Sequence, residues 1–275
     1  MIISIIGIGF VGSAMKQSFE KKNIKVKCYD KFKNIGTLED CLESQIMFLC
    51  LPTQFNEEIK EYDKSCIIET CDILTSFNYN GLVVIKSPVE SETTEKFSKK
   101  YKKLKFIHNP EFLSAATAYY DFHNQKHIVI GKGPNVSDND IEIIREFYSN
   151  NYSSDISICS SSESESMKLF TNCFYSVKIQ FFNELFLLCN ETNNCEYNNV
   201  VSLMIKNGWI NKMHTQVPGS DGKLSYGGYC FPKDTNALLN LMKSKNVPCN
   251  VLDSTIKERN NMRNDNVNII KKKKD

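Results

Sequence analysis

An α/β fold is predicted, a doubly wound parallel sheet followed by a mainly α-helical domain, on three observations. From Met1 to about Cys159, short apolar runs alternate with polar, helix-compatible stretches, the pattern of βα units around a parallel sheet. A glycine cluster, Gly7 to Gly12, follows the first apolar run directly. After Ser160-Ser161-Ser162 the texture changes to apolar residues at helical spacing. The 275 residues suffice for two domains that each bury a core, and these observations divide them as 1–159 and 160–275.

The strand expectations in order are Ile2 to Ile6, Ile24 to Tyr29, Ile46 to Leu51, Leu82 to Ile85, His127 to Ile130 and Ile156 to Cys159. Ser13 to Lys22 is compatible with the helix after the glycines. Met167, Phe170, Phe174, Val177, Phe181, Leu185 and Leu188 recur at a helical period. A long helix is expected there, capped by Ser161 or Ser162, with Glu163 and Glu165 in its first turn favouring the helix dipole. Val200 to Lys206 and Thr235 to Lys243 read as helices bracketing a glycine-rich loop, Val217 to Phe231.

Composition excludes several function classes. A net charge of +2 is too small to argue for nucleic acid or an anionic membrane surface. No apolar run approaches the ~20 residues of a membrane helix, and Met1 to Ile6 leads into glycines rather than a leader-cleavage site; the expectation is a cytoplasmic protein. The eleven cysteines form no Cys-x-x-Cys pair, and His108, His123, His127 and His214 do not cluster, so no metal is expected. Lys271-Lys272-Lys273-Lys274 reads as a solvated terminus.

Gly7-Ile8-Gly9-Phe10-Val11-Gly12 sits between a strand and a helix, where its glycines serve a tight turn, close approach to a pyrophosphate and helix–strand packing. The second strand ends at Asp30, placed to hold the adenosine ribose hydroxyls and to repel a 2′-phosphate. A Rossmann-type domain binding NAD is therefore expected.

Further on, Tyr226-Gly227-Gly228-Tyr229-Cys230-Phe231-Pro232-Lys233-Asp234 sets a cysteine beside two glycines, which give backbone room, with a lysine able to stabilise a thiolate. Cys230 is a candidate nucleophile, although most of eleven cysteines are expected to be small buried hydrophobes. Glu165, Lys168 and Asn172 share one face of the long helix; the lysine and amide suit a developing oxyanion and equally suit a solvated helix side.

Together these residues resemble the UDP-glucose/GDP-mannose 6-dehydrogenase family. The pattern Gly-Gly-x-Cys-x-Pro-Lys-Asp appears without a gap, preceded by Val217-Pro218-Gly219-Ser220-Asp221-Gly222, which looks like the UDP-glucose branch. Cys50-Leu51-Pro52-Thr53, Asn109-Pro110-Glu111-Phe112-Leu113 and Glu165 to Glu184, closing on Phe182-Asn183-Glu184, follow in family order. The resemblance implies that Cys230 attacks an aldehyde made by a first hydride transfer to NAD, that the thiohemiacetal is oxidised to a thioester by a second NAD, and that water releases the acid. It gives Glu111 to hydrolysis, Lys168 and Asn172 to an oxyanion and a water, and Asp234 to acting as base or orienting that water. It places Gly7, Gly9, Phe10, Val11, Gly12, Asp30, Pro52, Thr53, Ser87 and Lys233 at the cofactor. Phe112, Leu113, Lys168, Asn172, Tyr226, Gly227 and Gly228 fall to the substrate, UDP-glucose or a related sugar nucleotide. A homodimer through the helix beginning at Val251 to Asn264, and a part in polysaccharide biosynthesis, are implied as well. UDP-N-acetylmannosamine and GDP-mannose are the rival substrates, and a catalytically degenerate NAD-binding protein is the rival class.

Three departures from the family pattern bear on this. Ser87-Pro88 stands where Ser-Thr is usual, which leaves Ser87, Thr93 or Thr94 to supply a hydroxyl or slows hydrolysis. Gln125-Lys126-His127 replaces a common Pro-Asp-Arg. The matching covers the first two of three family domains, so a nucleotide-holding third domain is expected to be missing.

Overall fold

The central strands are apolar on both faces, as strands covered by helices on each side must be. In the computed structural model, which describes residues 1–265 and 268–271, the chain begins β1 (Ile3–Ile6), α1 (Phe10–Lys21), β2 (Val26–Tyr29), α2 (Leu38–Cys41) and β3 (Ile46–Leu49). A hairpin of β4 (Phe55–Asn56) and β5 (Glu61–Tyr62) follows, then α3 (Ser65–Ser76), β6 (Leu82–Ile85), α4 (Thr93–Lys100), β7 (Lys105–His108) and α5 (Ala118–His123). The order continues β8 (His127–Lys132), α6 (Asp138–Asn151), β9 (Asp155–Ser160), α7 (Ser161–Asn190), α8 (Tyr197–Lys206), α9 (Phe231–Ser244), α10 (Asn250–Met262) and β10 (Ile269–Ile270).

Two units result: Met1–Thr53 with Asp63–Lys168, and Gln54–Tyr62 with Leu169–Asp275. The expected division at 159/160 is therefore amended. Although β9 gives way to α7 at 160/161, the division into units falls inside α7, at 168/169, and the hairpin joins the second unit. Of the terminal lysine run only Lys271 is among the described residues; Lys272 to Lys274 lie outside them.

In the first unit the sheet order is β2-β1-β3-β6-β7-β8-β9. Neighbours are parallel except β7 and β8, where Ile107 faces Lys132 and His108 faces Gly131 antiparallel. The parallel expectation thus holds for five strands, and the β8–β9 pair runs the other way. β7 was not expected from the sequence: only Phe106 and Ile107 of Lys105-Phe106-Ile107-His108 are apolar, too short an alternation to signal a strand.

Alternate residues feed two cores. Ile3, Ile5, Phe48 and Val84 pack with Phe19 and Phe147 of α1 and α6, where the two rings meet edge to face at 5.5 Å. Ile6, Leu49, Val83 and Ile85 pack with Ile67 and Phe97 of α3 and α4. This is the doubly wound, Rossmann-type arrangement. Because β1 is flanked by β2 on one side and β3 on the other, the chain turns opposite ways there, opening a crevice at the carboxyl ends of β1 and β3.

The second unit is mainly helical: α8 to α10 and the length of α7 beyond Lys168, with a small sheet ordered β10-β4-β5. The cap of α7 is Ser160, not Ser161 or Ser162. Its amide and hydroxyl donate to Glu163 Oε2 at 2.8 and 2.7 Å, and Glu163 N–H returns to Ser160 Oγ at 3.2 Å, a reciprocal capping box. Ser161 is fully buried and the Ser162 hydroxyl goes to Glu95. Among the described residues no helix is long and apolar enough to cross a membrane.

Candidate active site

The glycine loop leaves β1 at Gly7, whose φ of +91° suits glycine. A β-carbon on Gly12 would run into the Gly7 carbonyl, so α1 can approach β1 this closely only with glycine there. Gly9 is different: nothing lies within 4 Å of where its β-carbon would be. It is also the N-cap of α1 and supplies no side-chain cap, so the first-turn amides, Phe10 and Val11 among them, are left for an anion. The chain thus fits a dinucleotide's diphosphate at this turn.

Asp30 directly follows β2, with one carboxylate oxygen on Ile8 N–H at 2.7 Å and the other on Phe32 and Lys33 N–H, both at 3.0 Å. It therefore braces the glycine loop as well as standing where a ribose is expected. Thr53, beyond β3, donates to Pro88 C=O at 2.8 Å, and Ser87 donates to Leu51 C=O at 2.5 Å. These bonds knit together the loops after β3 and β6, which contain Pro52. Of the hydroxyls proposed to replace the family threonine, Ser87 spends its proton on Leu51 and Thr94 on Glu165 Oε1 at 2.6 Å. Thr93 is buried at the start of α4.

Glu111 and Lys168 meet in this unit. Lys168 Nζ lies 3.3 Å from Glu111 Oε1 and 5.2 Å from the centre of the half-exposed Phe112 ring, and Leu113 N–H donates to Glu111 Oε2 at 2.6 Å. Both charged side chains are buried. Beneath them Lys86, fully buried, donates to Asn109 Oδ1 and Pro110 C=O at 3.0 and 3.3 Å. Burial pulls its ammonium down to about 8. Sequence reasoning missed Lys86, although a lysine closing the apolar run Leu82 to Ile85 is the signal that would have found it.

In the second unit Cys230 is the N-cap of α9, followed by Phe231-Pro232, with proline at a position helices favour. A thiolate at a helix N-terminus is stabilised by the dipole. One turn on, Asp234 N–H bonds Cys230 C=O at 3.0 Å. The fully buried Asp234 carboxylate accepts Asn172 Nδ2–H at 2.6 Å and the Tyr62 hydroxyl at 2.5 Å, and pairs with Lys233. Lys233 is thus turned to Asp234, with its ammonium 4.5 Å above the Tyr62 ring, so the helix terminus is the better-placed source of thiolate stabilisation.

The backbone room near Cys230 is at Gly228, which has φ +76° and nothing close to its Cβ direction. At Gly227 the corresponding space is filled by the Arg263 guanidinium, a correction to the expectation of room at both. Arg263 holds the carbonyls of Leu224 and Ser225 and the Asp221 carboxylate, while Arg259 Nε donates to Tyr226 C=O at 3.1 Å. Two arginines at the end of α10 thereby fix the loop that leads into Cys230. Tyr226 itself is buried and tilts edge-on to Phe231.

Residues 32–151 match the NAD binding domain of the UDP-glucose/GDP-mannose dehydrogenase family, and residues 162–261 match the central domain of the same family. The chain belongs to the UDP-glucose/GDP-mannose dehydrogenase family. As a member of this dehydrogenase family it carries the NAD binding domain, and the open Gly9 turn is where that domain would receive the diphosphate. A UDP-glucose 6-dehydrogenase of Campylobacter jejuni is 28% identical over 96% of this chain and 72% of its own length. Two solved structures share the fold. A UDP-glucose dehydrogenase of Pyrobaculum islandicum superposes with a TM-score of 0.82 at 20% identity, covering 94% of this chain and 68% of its own. A UDP-D-ManNAc dehydrogenase of Pyrococcus horikoshii gives 0.79 at 18%, covering 95% and 69%.

Tyr62, which binds Asp234, and Arg259 and Arg263, which hold the loop before Cys230, are contacts that the sequence did not disclose. Each reaches its partner across more than thirty positions, a separation that no local pattern reports.

Proposed function

We propose that the chain oxidises the C6 alcohol of a sugar nucleotide to the carboxylate, UDP-glucose to UDP-glucuronate, with Cys230 as covalent acyl carrier. The observation that carries this reading is Cys230 at the N-terminus of α9 with the Asp234–Asn172 pair one turn on. The family relatives named for UDP-glucose oxidation support the choice of substrate.

NAD held at the Gly7–Gly12 turn, with Asp30 at its ribose and Pro52, Thr53 and Ser87 alongside, supplies the hydride acceptor for two oxidations. The Cys230 thiolate adds to the intermediate aldehyde, forming a C–S bond and an alkoxide, which the N–H groups of Lys168 and Asn172 stabilise. After the second oxidation the carbon is a thioester. Water then adds, the C–S bond breaks and the thiolate is restored; Glu111 takes a proton from that water, and Asp234 orients it. The sum is alcohol, water and two NAD⁺ giving carboxylate, two NADH and three protons. The reading extends to a cytoplasmic homodimer through α10 that supplies an acidic sugar for polysaccharide biosynthesis.

The test is NADH formation by the purified chain with NAD and UDP-glucose, with acid quantified alongside. Two NADH per acid are expected, and Cys230→Ser should abolish acid while NAD binding is kept. Acid production by Cys230→Ser at the wild-type rate would refute the covalent step. Inertness of the wild type toward UDP-glucose, UDP-N-acetylmannosamine and GDP-mannose with NAD binding intact would leave a cofactor-binding protein.

A further inference from the structure

We propose that Tyr62 is a positioning residue for Asp234, its phenol holding the carboxylate in the orientation that fixes the Asn172 amide. The proposal rests on the reading above for what Asp234 and Asn172 do, and on the second unit's own geometry for how they are held.

Tyr62 ends the short hairpin that the second unit takes from the first half of the chain. Its side chain is fully buried, packed with Phe55, Leu169, Cys173 and Ala237, and its hydroxyl donates to Asp234 Oδ1 at 2.5 Å. Lys233 pairs with the same oxygen, while the other oxygen accepts Asn172 Nδ2–H. A buried carboxylate is costly unless its charge is met by donors. Here three donors from three elements meet it, and together they leave it one rotamer. Because Oδ2 takes one N–H of Asn172, the amide plane is set and its second N–H and its carbonyl are directed away from Asp234.

Tyr62 serves two of these contacts at once. The hydroxyl binds Oδ1, and the ring face lies under the Lys233 ammonium at 4.5 Å. Tyr62→Phe removes the hydroxyl and keeps the ring, so it separates the hydrogen bond from packing and from the cation–π contact.

The experiment follows the Asn172 side-chain amide by ¹⁵N NMR in the full chain labelled at asparagine, the signal pair being identified by its loss in Asn172→Ala. In Tyr62→Phe this pair should shift, since the carboxylate that holds it has lost one of its donors, while the methyl signals of Leu169 and Ala237, packed in the same cluster as the ring, hold. Incorporating 3-fluorotyrosine at position 62, a stronger donor, should shift the pair in the opposite sense. With UDP-glucose and NAD, kcat should fall severalfold in Tyr62→Phe while KM for the sugar nucleotide holds, a split that loss of packing alone does not give. An Asn172 pair unmoved by both replacements overturns the proposal, whether or not the chain turns over. A shifted pair in a chain that makes no acid overturns the functional reading and leaves the positioning intact.

Discussion

Glu165 shows how burial decides the state of one side chain. It is fully buried, and its Oε1 accepts both the amide and the hydroxyl of Thr94, at 2.8 and 2.6 Å. Desolvation outweighs these donors and pushes the carboxyl up to about 7 from 4.5. The folded chain therefore keeps its proton to higher pH than the unfolded one. Stability is full below about pH 4.5 and falls as pH rises toward 7, by about 3 kcal/mol in all. Glu165→Gln, which keeps an acceptor for Thr94, should lose this dependence: between pH 5 and pH 8 its unfolding free energy should gain on the wild type by most of that amount in urea titrations, and a constant gap would reject the assignment. At this scale the sequence pointed by spacing to candidate residues, Cys230, Asp234 and Asp30 among them. It was silent on partners, because Thr94 for Glu165, Ile8 for Asp30 and Tyr62 for Asp234 are set by tertiary contact.

Along α7 the apolar repeat was readable, but which column faces inward was not. The structure divides it: Leu169, Cys173 and Val177 turn toward one core and Leu185 toward another, while Phe170, Phe174, Phe181 and Leu188 are more than half exposed. Positions 170, 174, 181 and 188 fall within a narrow arc at 100° per residue. Two adjacent apolar columns have the same period, so periodicity cannot say which of them is buried. An exposed apolar stripe of this kind suits an interface, and we extend the homodimer proposed through α10 to this face of α7. Sedimentation velocity should show a dimer for the wild type and a monomer for the Phe174→Ser, Phe181→Ser double variant; a wild-type monomer would dispose of the homodimer.

For the molecule as a whole, six of the seven main strands and the Rossmann-type class were legible, because buried parallel strands are apolar runs and the glycine turn has a fixed place after the first. The reversal at β8 was not legible, since strand direction leaves no trace in composition. Neither was the transfer of 54–62 to the helical unit: the hairpin is two residues on each side, and its partner β10 lies some two hundred positions away. NAD at a hundredfold excess over its Kd should stabilise the fold by ~2.7 kcal/mol, with amide exchange slowing first at Phe10 to Gly12. Unchanged exchange there would place the cofactor elsewhere.

The polypeptide passes from one unit to the other three times, at 53/54, 62/63 and 168/169. A modular swap at the start of α7 would therefore part the helical unit from the segment that brings Tyr62. A chimaera carrying a relative's helical half would receive a foreign tyrosine, or none, against its aspartate. In an exchange of halves, residues 54–62 belong with the helical half, so that Tyr62 stays with the Asp234 it binds.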